Sequence, residues 1–471
     1  MIAGCSSSGA PVTPNPLPLP VVVDLGGPKM PHPQLVQISF SDDENADTYA
    51  AFASWIVTSE WLNQVGPDYG IGAGSVLGNV KLPGAAPDQV GDLDIVDMLL
   101  DGIEAGTFPS PPAGDFLNTL YIVNYPAHST ILGGDQMSCR DYLGFHASAR
   151  RGEREIAYAV IPSCPDDAIA GLTSIQVHEV ATSHELMEAA TDPVPLNNPG
   201  FQLADRASSW QALGNEVADL CERGDVSRVW QEQIFFAQRI WSKTLALVGE
   251  PCIPLPGPGA FFSVQASPDG LQRVAAGATI HYRLNAYSTS VSAHWGLSVD
   301  STAAEKPTMA LGATTLAPGF ATTLDVTVPS DAETASSLDV FVFSKAGFDY
   351  QITPLRIVVG PTCASATDCV SCTRQEGCGW CLTSNRCENE RGDGSADSSC
   401  SGDSFAETSG ACPGFCAGHN TACDECSSQF GCGWCQTATG TQCLQFGGNG
   451  SSPKNATCQY VDWSFTPEYC E

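Results

Sequence analysis

Basic side chains are scarce in this chain, which has 20 lysines and arginines against 52 aspartates and glutamates and a formal net charge of −32. Such a charge repels phosphate backbones and anionic lipid surfaces, so the sequence argues against nucleic-acid binding. The acidic excess suits a surface that faces water and divalent cations. It identifies no ligand, however, since solubility alone explains it.

Long apolar runs are also missing. No stretch of about 18 apolar residues occurs, so no segment predicts a membrane-spanning helix, and membrane attachment would require a lipid anchor. The motif G-x-S-x-G is absent as well, which disfavours a serine hydrolase, although catalytic triads can use other local sequences. A cysteine hydrolase would need a thiol outside the disulfides, and none is evident once Cys5 is set aside.

Cysteine, by contrast, is abundant: the chain has 21, and most lie in its last hundred or so residues. So many cysteines predict disulfides and an oxidising compartment. We therefore expect an extracytoplasmic protein that is either attached to the cell surface, as an outer-membrane lipoprotein would be, or secreted. The 471 residues can hold about three or four domains.

Residues 1–33 predict a tether. The first six residues resemble the cleavage box of bacterial lipoproteins, in which small residues precede a cysteine that becomes lipidated, here Cys5. The charged and apolar parts of a signal peptide are not present in the sequence. Removing Cys5 from the odd total leaves an even number that can pair, and the proline-rich stretch that follows is typical of an extended spacer. The alternative is a disordered leader that carries a stray thiol.

An internal repeat is the strongest pattern in the chain. Residues 363–412 and 416–470 each hold eight cysteines and the string Gly-Cys-Gly-Trp-Cys, centred on Trp380 and Trp434. Paired C-x2-C elements also occur in zinc ribbons, but there about 15 to 20 residues separate the pairs, and here only five do. The spacing resembles the plexin-semaphorin-integrin cysteine module of extracellular proteins. That resemblance implies a role in positioning neighbouring domains.

Residues 258–360 predict an all-β domain. Ile280, Tyr282 and Leu284 alternate with polar residues, and a second alternating run follows near residue 326. Period-two alternation indicates half-buried strands. With about 100 residues and turn signals between the runs, we expect a sandwich that resembles bacterial immunoglobulin-like domains.

Residues 34–254 predict an α/β or α+β domain, because strand-like and helix-like runs alternate. Strands are expected at 36–40, 120–123 and 156–161. A helix is expected over residues 47–65, where Phe52, Ile56 and Trp61 have helical spacing.

Residues 172–193 carry the residues with catalytic potential. A capping box at Thr173 and Gln176 predicts the start of a helix. Within it, His184 and Glu188 are four apart and share a face, so they can bind one metal ion. Glu185 occupies the position of the general base in H-E-x-x-H zinc hydrolases, with a glutamate in place of the second histidine. The alternative is a solvated polar helix whose histidines and glutamates form ion pairs.

A third ligand is expected from the string Asn-Glu-Val-Ala-Asp at residues 215–219. Glu216 and Asp219 are three apart, so we expect them to share a helix face. The string looks like the Asn-Glu-x-x-x-Asp element of thermolysin-like peptidases, although it is one residue shorter. The choice between Glu216 and Asp219 stays open.

Several of these strings together resemble plant EXORDIUM (phosphate-induced) proteins and their bacterial relatives. The matching pieces lie at 69–75, 144–146, 158–162, 183–193 and 215–221. The family is exported and peptidase-like in its motif, which implies no established substrate.

Three further residues are candidates near the site. His178 lies about 120° around the helix from His184, so we expect it to pack or to support a ligand. His146 could reach the site from its loop as a ligand or a transition-state donor, and Asp192 could be a carboxylate at the helix end or behind the ligands.

Four cysteines outside the repeats remain, Cys139, Cys164, Cys221 and Cys252. Pairing the first two and the last two would restrain the 215–219 element, and cross-pairing is equally allowed.

The sequence thus predicts a zinc peptidase with one zinc ion that acts on a peptide or a cell-surface substrate. The alternative is a non-catalytic adhesion or wall-associated binding protein with a structural or degenerate metal site.

Overall fold

The structure is a computed structural model, and it describes most of the chain. The described residues are 19–111, 115–133, 136–152, 154–196, 198–203, 205–222, 229–254, 261–288, 293–303, 305–334, 336–347, 349–391, 394–429, 431–437, 440–445, 458, 463–464 and 470. The expected lipidation site, Cys5, lies outside them.

The first domain contains five helices and fourteen strands among its described residues. The helices are α1 (Ala46–Ile56), α2 (Glu60–Val65), α3 (Asp92–Glu104), α4 (Ser174–Thr191) and α5 (Lys243–Ala246). The strands are β1 (Val22–Asp24), β2 (Gln34–Ser39), β3 (Ser75–Lys81), β4 (Gln89–Gly91), β5 (Thr119–Tyr125), β6 (Thr130–Gly133), β7 (Gln136–Met137), β8 (Phe145–Arg151), β9 (Arg154–Pro162), β10 (Phe201–Leu203), β11 (Val229–Glu232), β12 (Phe235–Gln238), β13 (Ile240–Trp241) and β14 (Cys252–Ile253).

A five-stranded sheet with the order β3-β2-β5-β9-β8 forms the centre of this domain. Its first four strands are parallel, and β8 pairs with β9 in the antiparallel direction at one edge. Strand β5 is buried along its whole length, as expected for a strand covered on both faces.

Helices cover both faces of the sheet. Alternate residues of β5 point to opposite sides: Leu120 and Ile122 join a core with α1 and α4, while Tyr121 and Val123 join a core with α3. This layering is that of an α/β rather than an α+β domain.

The helix expected over residues 47–65 is in fact two helices. Ser59 separates α1 from α2 and caps α2, because its side chain accepts a hydrogen bond from the backbone N–H of Leu62. The apolar spacing continues across the break, since Phe52, Ile56 and Trp61 are all buried in the same core. Periodicity alone therefore could not reveal the break between the two helices.

The folded part of this domain begins before residue 34. Strand β1 pairs with β10, and both Val22 and Met30 belong to the core that α4 shares. The proline-rich segment therefore contributes its last third to the domain, whereas the sequence predicted a tether up to residue 33.

The second domain is a sandwich of two sheets. Its strands are β15 (Phe262–Ser267), β16 (Gln272–Val274), β17 (Thr279–Ser288), β18 (Trp295–Ser301), β19 (Thr308–Leu311), β20 (Thr315–Leu316), β21 (Ala321–Thr327), β22 (Ser337–Ala346) and β23 (Asp349–Val359). The sheets have the orders β15-β17-β21-β19 and β16-β23-β22-β18-β20. The predicted alternation on β17 is confirmed, because Ile280, Tyr282 and Leu284 are buried in the apolar core between the sheets.

The two cysteine-rich modules share one disulfide pattern. Their elements are α6 (Cys369–Thr373), β24 (Cys378–Cys381), β25 (Arg386–Arg391), β26 (Gly394–Ser395), β27 (Phe405–Ala406), α7 (Cys423–Ser427), β28 (Cys432–Thr437), β29 (Gly440–Gln445) and β30 (Trp463–Ser464). In each module the first cysteine pairs with the fourth, the second with the eighth, the third with the sixth and the fifth with the seventh.

The equal connectivity supports the internal repeat and leaves no thiolate in either module to bind zinc. Trp380 and Trp434 are buried among the half-cystines. No helix among the described residues is long and apolar enough to cross a membrane.

Candidate metal centre

Helix α4 carries the site and is buried along nearly its whole length. It begins at the predicted capping box, in which the Thr173 hydroxyl accepts from the Gln176 backbone N–H and the Gln176 side chain accepts from the backbone N–H of Thr173. From Val177 to Thr191 every residue except His184 is buried. The alternative of a solvated polar helix is therefore wrong, and the ionisable side chains of α4 face the protein interior.

His184, Glu188 and Asp219 converge at one end of this buried face. The Nε2 atom of His184 is 3.1 Å from Oε1 of Glu188 and 3.6 Å from Oδ1 of Asp219. One ligand atom from each lies within 4.8 Å of the others. Ligand atoms held about 2.0–2.2 Å from a common ion lie roughly 3 to 4 Å apart, so the three side chains are spaced as metal ligands are.

Gln238, at the end of β12, fixes the tautomer of His184. Its Oε1 atom is 2.9 Å from Nδ1 of His184, and its Nε2 atom donates to the carbonyl of Ala218. Because the amide nitrogen is committed to a carbonyl, the amide oxygen must accept, and the His184 proton resides on Nδ1. Nε2 is then the ring nitrogen that faces Glu188 and Asp219, so it is the atom that an ion held by these carboxylates would contact.

Glu185 lies beside this trio, on the wall of a cleft of about 320 Å³. The cleft is also lined by His184 and Asp219, and its other walls carry apolar side chains that include Leu143 and Ile169. The side chain of Glu185 is only 6% exposed. Its carboxylate is thus desolvated but borders the cleft.

Gly144 allows Glu185 to occupy this position. A Cβ atom on Gly144 would come within 2.9 Å of Oε1 of Glu185 and within 3.2 Å of the Ile161 side chain. Any other residue would displace one of them. This glycine was noted in the sequence only as part of a family resemblance.

A second group of ligand-type side chains lies deeper, around His146 on β8. Nδ1 of His146 is 3.5 Å from both Glu185 Oε2 and Glu188 Oε2, and Nε2 is 3.4 Å from Glu216 Oε1. His146, Glu188 and Glu216 also place one ligand atom each within 4.8 Å of one another. The sequence placed His146 on a loop, whereas it lies on an edge strand with its side chain 3% exposed.

The element at residues 215–219 is a turn that leads into a short 3-10 helix, Asp219–Cys221, and not an α-helix. The expectation that Glu216 and Asp219 share a helix face is therefore wrong. Glu216 turns toward His146 and Asp219 toward His184. Asp219 is held there by its backbone N–H, which donates to Oε1 of Glu188 at 3.1 Å.

The two histidines are surrounded by carboxylates. Burial opposes a positive charge on His146 and His184, but the neighbouring carboxylates raise the pKa of both well above the usual value. Glu216 contributes most for His146 and Glu188 for His184.

The pKa values of the carboxylates shift in two directions. Burial opposes charge on Glu188, but His184 and His146 hold its pKa below the usual range. Burial raises the pKa of Glu216 to about 7 and, with repulsion from Glu188, raises that of Asp219 well above its usual value. The site therefore brings four carboxylates and two histidines together in a buried setting, where their charges depend on one another.

His178 lies outside the site, in agreement with its position around the helix. It stacks on Tyr49 with ring centroids 3.7 Å apart, and burial lowers its pKa to about 3. Its neighbour Glu179 accepts a hydrogen bond from the backbone N–H of Phe236, and burial raises its pKa to about 7.

Asp192 ends α4 and supports the site through its backbone. Its carboxylate accepts hydrogen bonds from the Gly200 N–H and from Nε2 of Gln202. Its carbonyl oxygen lies 3.2 Å from Nε2 of His146. Burial raises the pKa of the Asp192 carboxyl to about 6.

Two disulfides flank the site. Cys139 pairs with Cys164 and Cys221 with Cys252, which is the first of the two alternatives that the sequence allowed. Cys221 ends the 3-10 helix that begins at Asp219, so its disulfide restrains the strand-free segment that carries Glu216 and Asp219.

Gln238 is the residue that sequence reasoning missed. It lies 54 positions from His184 along the chain, and glutamine belongs to no metal-binding motif considered. His184 and Gln238 come together only because β12 packs against α4.

No protein-family model matches this chain, and no curated protein is significantly similar to it in sequence. Among solved structures, the chain is similar to the titin M3 domain at 8% identity, with 22% of this chain and 97% of that chain covered and a TM-score of 0.15. The titin M4 structure is similar at 12% identity, with 21% and 94% covered and a TM-score of 0.15. The complex of titin M10 with the obscurin-like 1 Ig domain gives 15% identity, 22% and 97% coverage and a TM-score of 0.14. At these TM-scores the likeness adds nothing to the fold described above.

Proposed function

We propose that the first domain is a metal-dependent hydrolase that cleaves peptide bonds, with His184, Glu188 and Asp219 as ligands of a divalent ion. The observation that carries the proposal is the convergence of these three side chains beside a cleft whose wall includes His184, Asp219 and Glu185. One imidazole and two carboxylates suit zinc and also harder ions such as manganese. When bound, such an ion would act as a Lewis acid toward a carbonyl group.

Glu185 is the residue in this cleft best placed to accept a proton from an attacking water. It follows His184 directly in the chain and lies next to the ligand trio, yet it is not one of the three ligands. Its Oε2 atom is 3.5 Å from Nδ1 of His146, and this ion-pair contact with a buried histidine holds the carboxylate in position. A general base in this setting typically contributes about 10²–10⁴-fold to the rate.

The cleft favours a peptide that presents an apolar side chain. Leu143, Ile169, Val180 and Val229 line it beside the polar groups. Apolar walls with a few convergent polar groups are typical of substrate sites.

The disulfides favour an extracytoplasmic location for this activity. All ten pairings join cysteines of the described residues, and such bonds persist in oxidising compartments. A lipid anchor at Cys5 and a cell-surface substrate belong to the same proposal, with the sandwich and the cysteine-rich modules as spacers.

The test compares the zinc-loaded full chain with Glu185→Gln in a peptide-library cleavage assay. We expect Glu185→Gln to keep its metal and to lose about 10²–10⁴-fold in turnover. Glu179→Gln, which neutralises a buried glutamate of the same helix away from the ligands, is the matched control and should retain turnover.

His184→Ala completes the test, since it should lose the metal. Bound metal without cleavage by the wild-type chain would favour the adhesion alternative. A wild-type chain that binds no metal after zinc has been offered would overturn the metal site itself.

A further inference from the structure

The two groups of ligand-type side chains share one residue. Glu188 belongs both to the trio with His184 and Asp219 and to the trio with His146 and Glu216. Its Oε1 atom faces Nε2 of His184 at 3.1 Å, and its Oε2 atom faces Nδ1 of His146 at 3.5 Å. The two oxygens of one carboxylate thus point at two different histidines, as in a carboxylate that bridges two metal ions.

The contacts of His146 suit a metal ligand better than a transition-state donor. Its Nε2 atom lies 3.2 Å from the carbonyl oxygen of Asp192, which can only accept a hydrogen bond. That contact places a proton on Nε2, so Nδ1, which faces Glu188, is the ring nitrogen available to an ion. A metal-binding histidine commonly donates its other ring N–H to a backbone carbonyl in this way.

Glu216 supplies an independent observation. Its Oε1 atom is buried and accepts no hydrogen bond from the described residues, although it lies 3.4 Å from Nε2 of His146. A buried carboxylate oxygen without a hydrogen bond is costly, so a partner for it is expected. Its nearest polar neighbour is Nε2 of His146, and a cation beside Glu216 would take the place of that ion pair.

Charge points the same way. Four carboxylates, Glu185, Glu188, Glu216 and Asp219, lie within ion-pair distance of the two histidines. Two divalent ions with both histidines neutral balance the four carboxylates.

We propose that the site binds two divalent ions, the first at His184 and Asp219 and the second at His146 and Glu216, with Glu188 bridging them. This proposal rests on the proposed function, because the first ion is the one assigned there. Pairs of ions about 3.5–4 Å apart occur in hydrolases such as aminopeptidases. A second ion would therefore assign the proposed hydrolase to the two-metal type. The second ion would lie behind the cleft, since His146 and Glu216 do not line it.

The test is the metal content of the full chain after loading with zinc, and separately with manganese, followed by dialysis. We expect two ions per chain in the wild type and one in His146→Asn and in Glu216→Gln. His281→Asn, a histidine on the sandwich whose side chain is 73% exposed, is the matched control and should keep both. Near-ultraviolet circular dichroism would show that each variant is folded.

Electron paramagnetic resonance of the manganese form provides a readout independent of the variants. A bridged pair should give a spin-coupled signal in the wild type, and isolated ions should not. One ion in the wild type that His146→Asn leaves in place would overturn the bridged pair while sparing the proposed function. A wild-type chain without any ion would overturn both.

Discussion

The first domain buries a cluster of histidines and carboxylates, whereas the sandwich keeps such side chains out of its core. Around α4 the protein buries two histidines and four carboxylates within ion-pair distance of one another. In the sandwich the space between the sheets is filled by apolar residues, and His281 lies outside, paired with Asp325. Burying charges is costly unless they are paired or bind an ion, so the difference separates a candidate site from a scaffold.

The contacts that hold the side chains in place also differ between the two regions. The sandwich depends on apolar contact between sheets, whereas the site depends on directed hydrogen bonds, such as those of Gln238 to His184 and Ala218. Changes in one region should therefore alter stability, and changes in the other should alter metal affinity.

The largest expected effect is on the stability of the sandwich. Leu324 is fully buried between the sheets, so Leu324→Ala should destabilise the sandwich by about 2–5 kcal/mol. Hydrogen exchange measured by mass spectrometry would localise the loss to sandwich peptides, and zinc binding should not change. Thr323→Ala, at an exposed position of the same strand, is the control. Loss of zinc in Leu324→Ala would show that the two regions are not independent.

A smaller effect is expected when the support of His184 is removed. Gln238→Leu keeps the volume but deletes the acceptor for Nδ1, so zinc affinity should fall about 10–100-fold. Competition with a chelator would measure it, alongside the melting temperature of the metal-free chain. Gln265→Leu, on an exposed sandwich position, is the control. Unchanged affinity in Gln238→Leu would mean that the tautomer of His184 is set by other contacts.

The smallest expected effect concerns pH. Burial raises the pKa of Glu179 to about 7 from an ordinary value of 4.5, so its contribution to stability is present below pH 4.5 and is lost as the pH rises through 7. Glu179→Gln keeps an acceptor for Phe236 but cannot ionise. Its melting temperature should therefore equal that of the wild type near pH 4.5 and exceed it by a few degrees above pH 7.

His178 acts in the opposite direction, because its pKa is lowered to about 3 and its contribution is lost as the pH falls below 6.5. This loss occurs in both proteins and cancels in the difference between them. Glu333→Gln, at an exposed position of the sandwich, should show no such pH-dependent difference. A constant difference for Glu179→Gln across this range would contradict the raised pKa.

Much of the fold could be predicted because it depends on local patterns. Alternation predicted β2 and β17, strand-like runs predicted β5 and β9, and the capping box predicted where α4 begins. The break at Ser59 could not be seen, because the same buried face continues across it.

By itself the sequence determined the helix that carries His184, Glu185 and Glu188, because positions four apart on a helix share a face whatever surrounds them. It also determined the cysteine repeat, since similar spacing in two copies permits equal pairing. Tertiary structure decided that α4 is buried rather than solvated, that Glu216 and Asp219 face different histidines, and that Gln238 supports His184. Those outcomes depend on contacts between segments far apart in the chain, whose geometry no local pattern encodes.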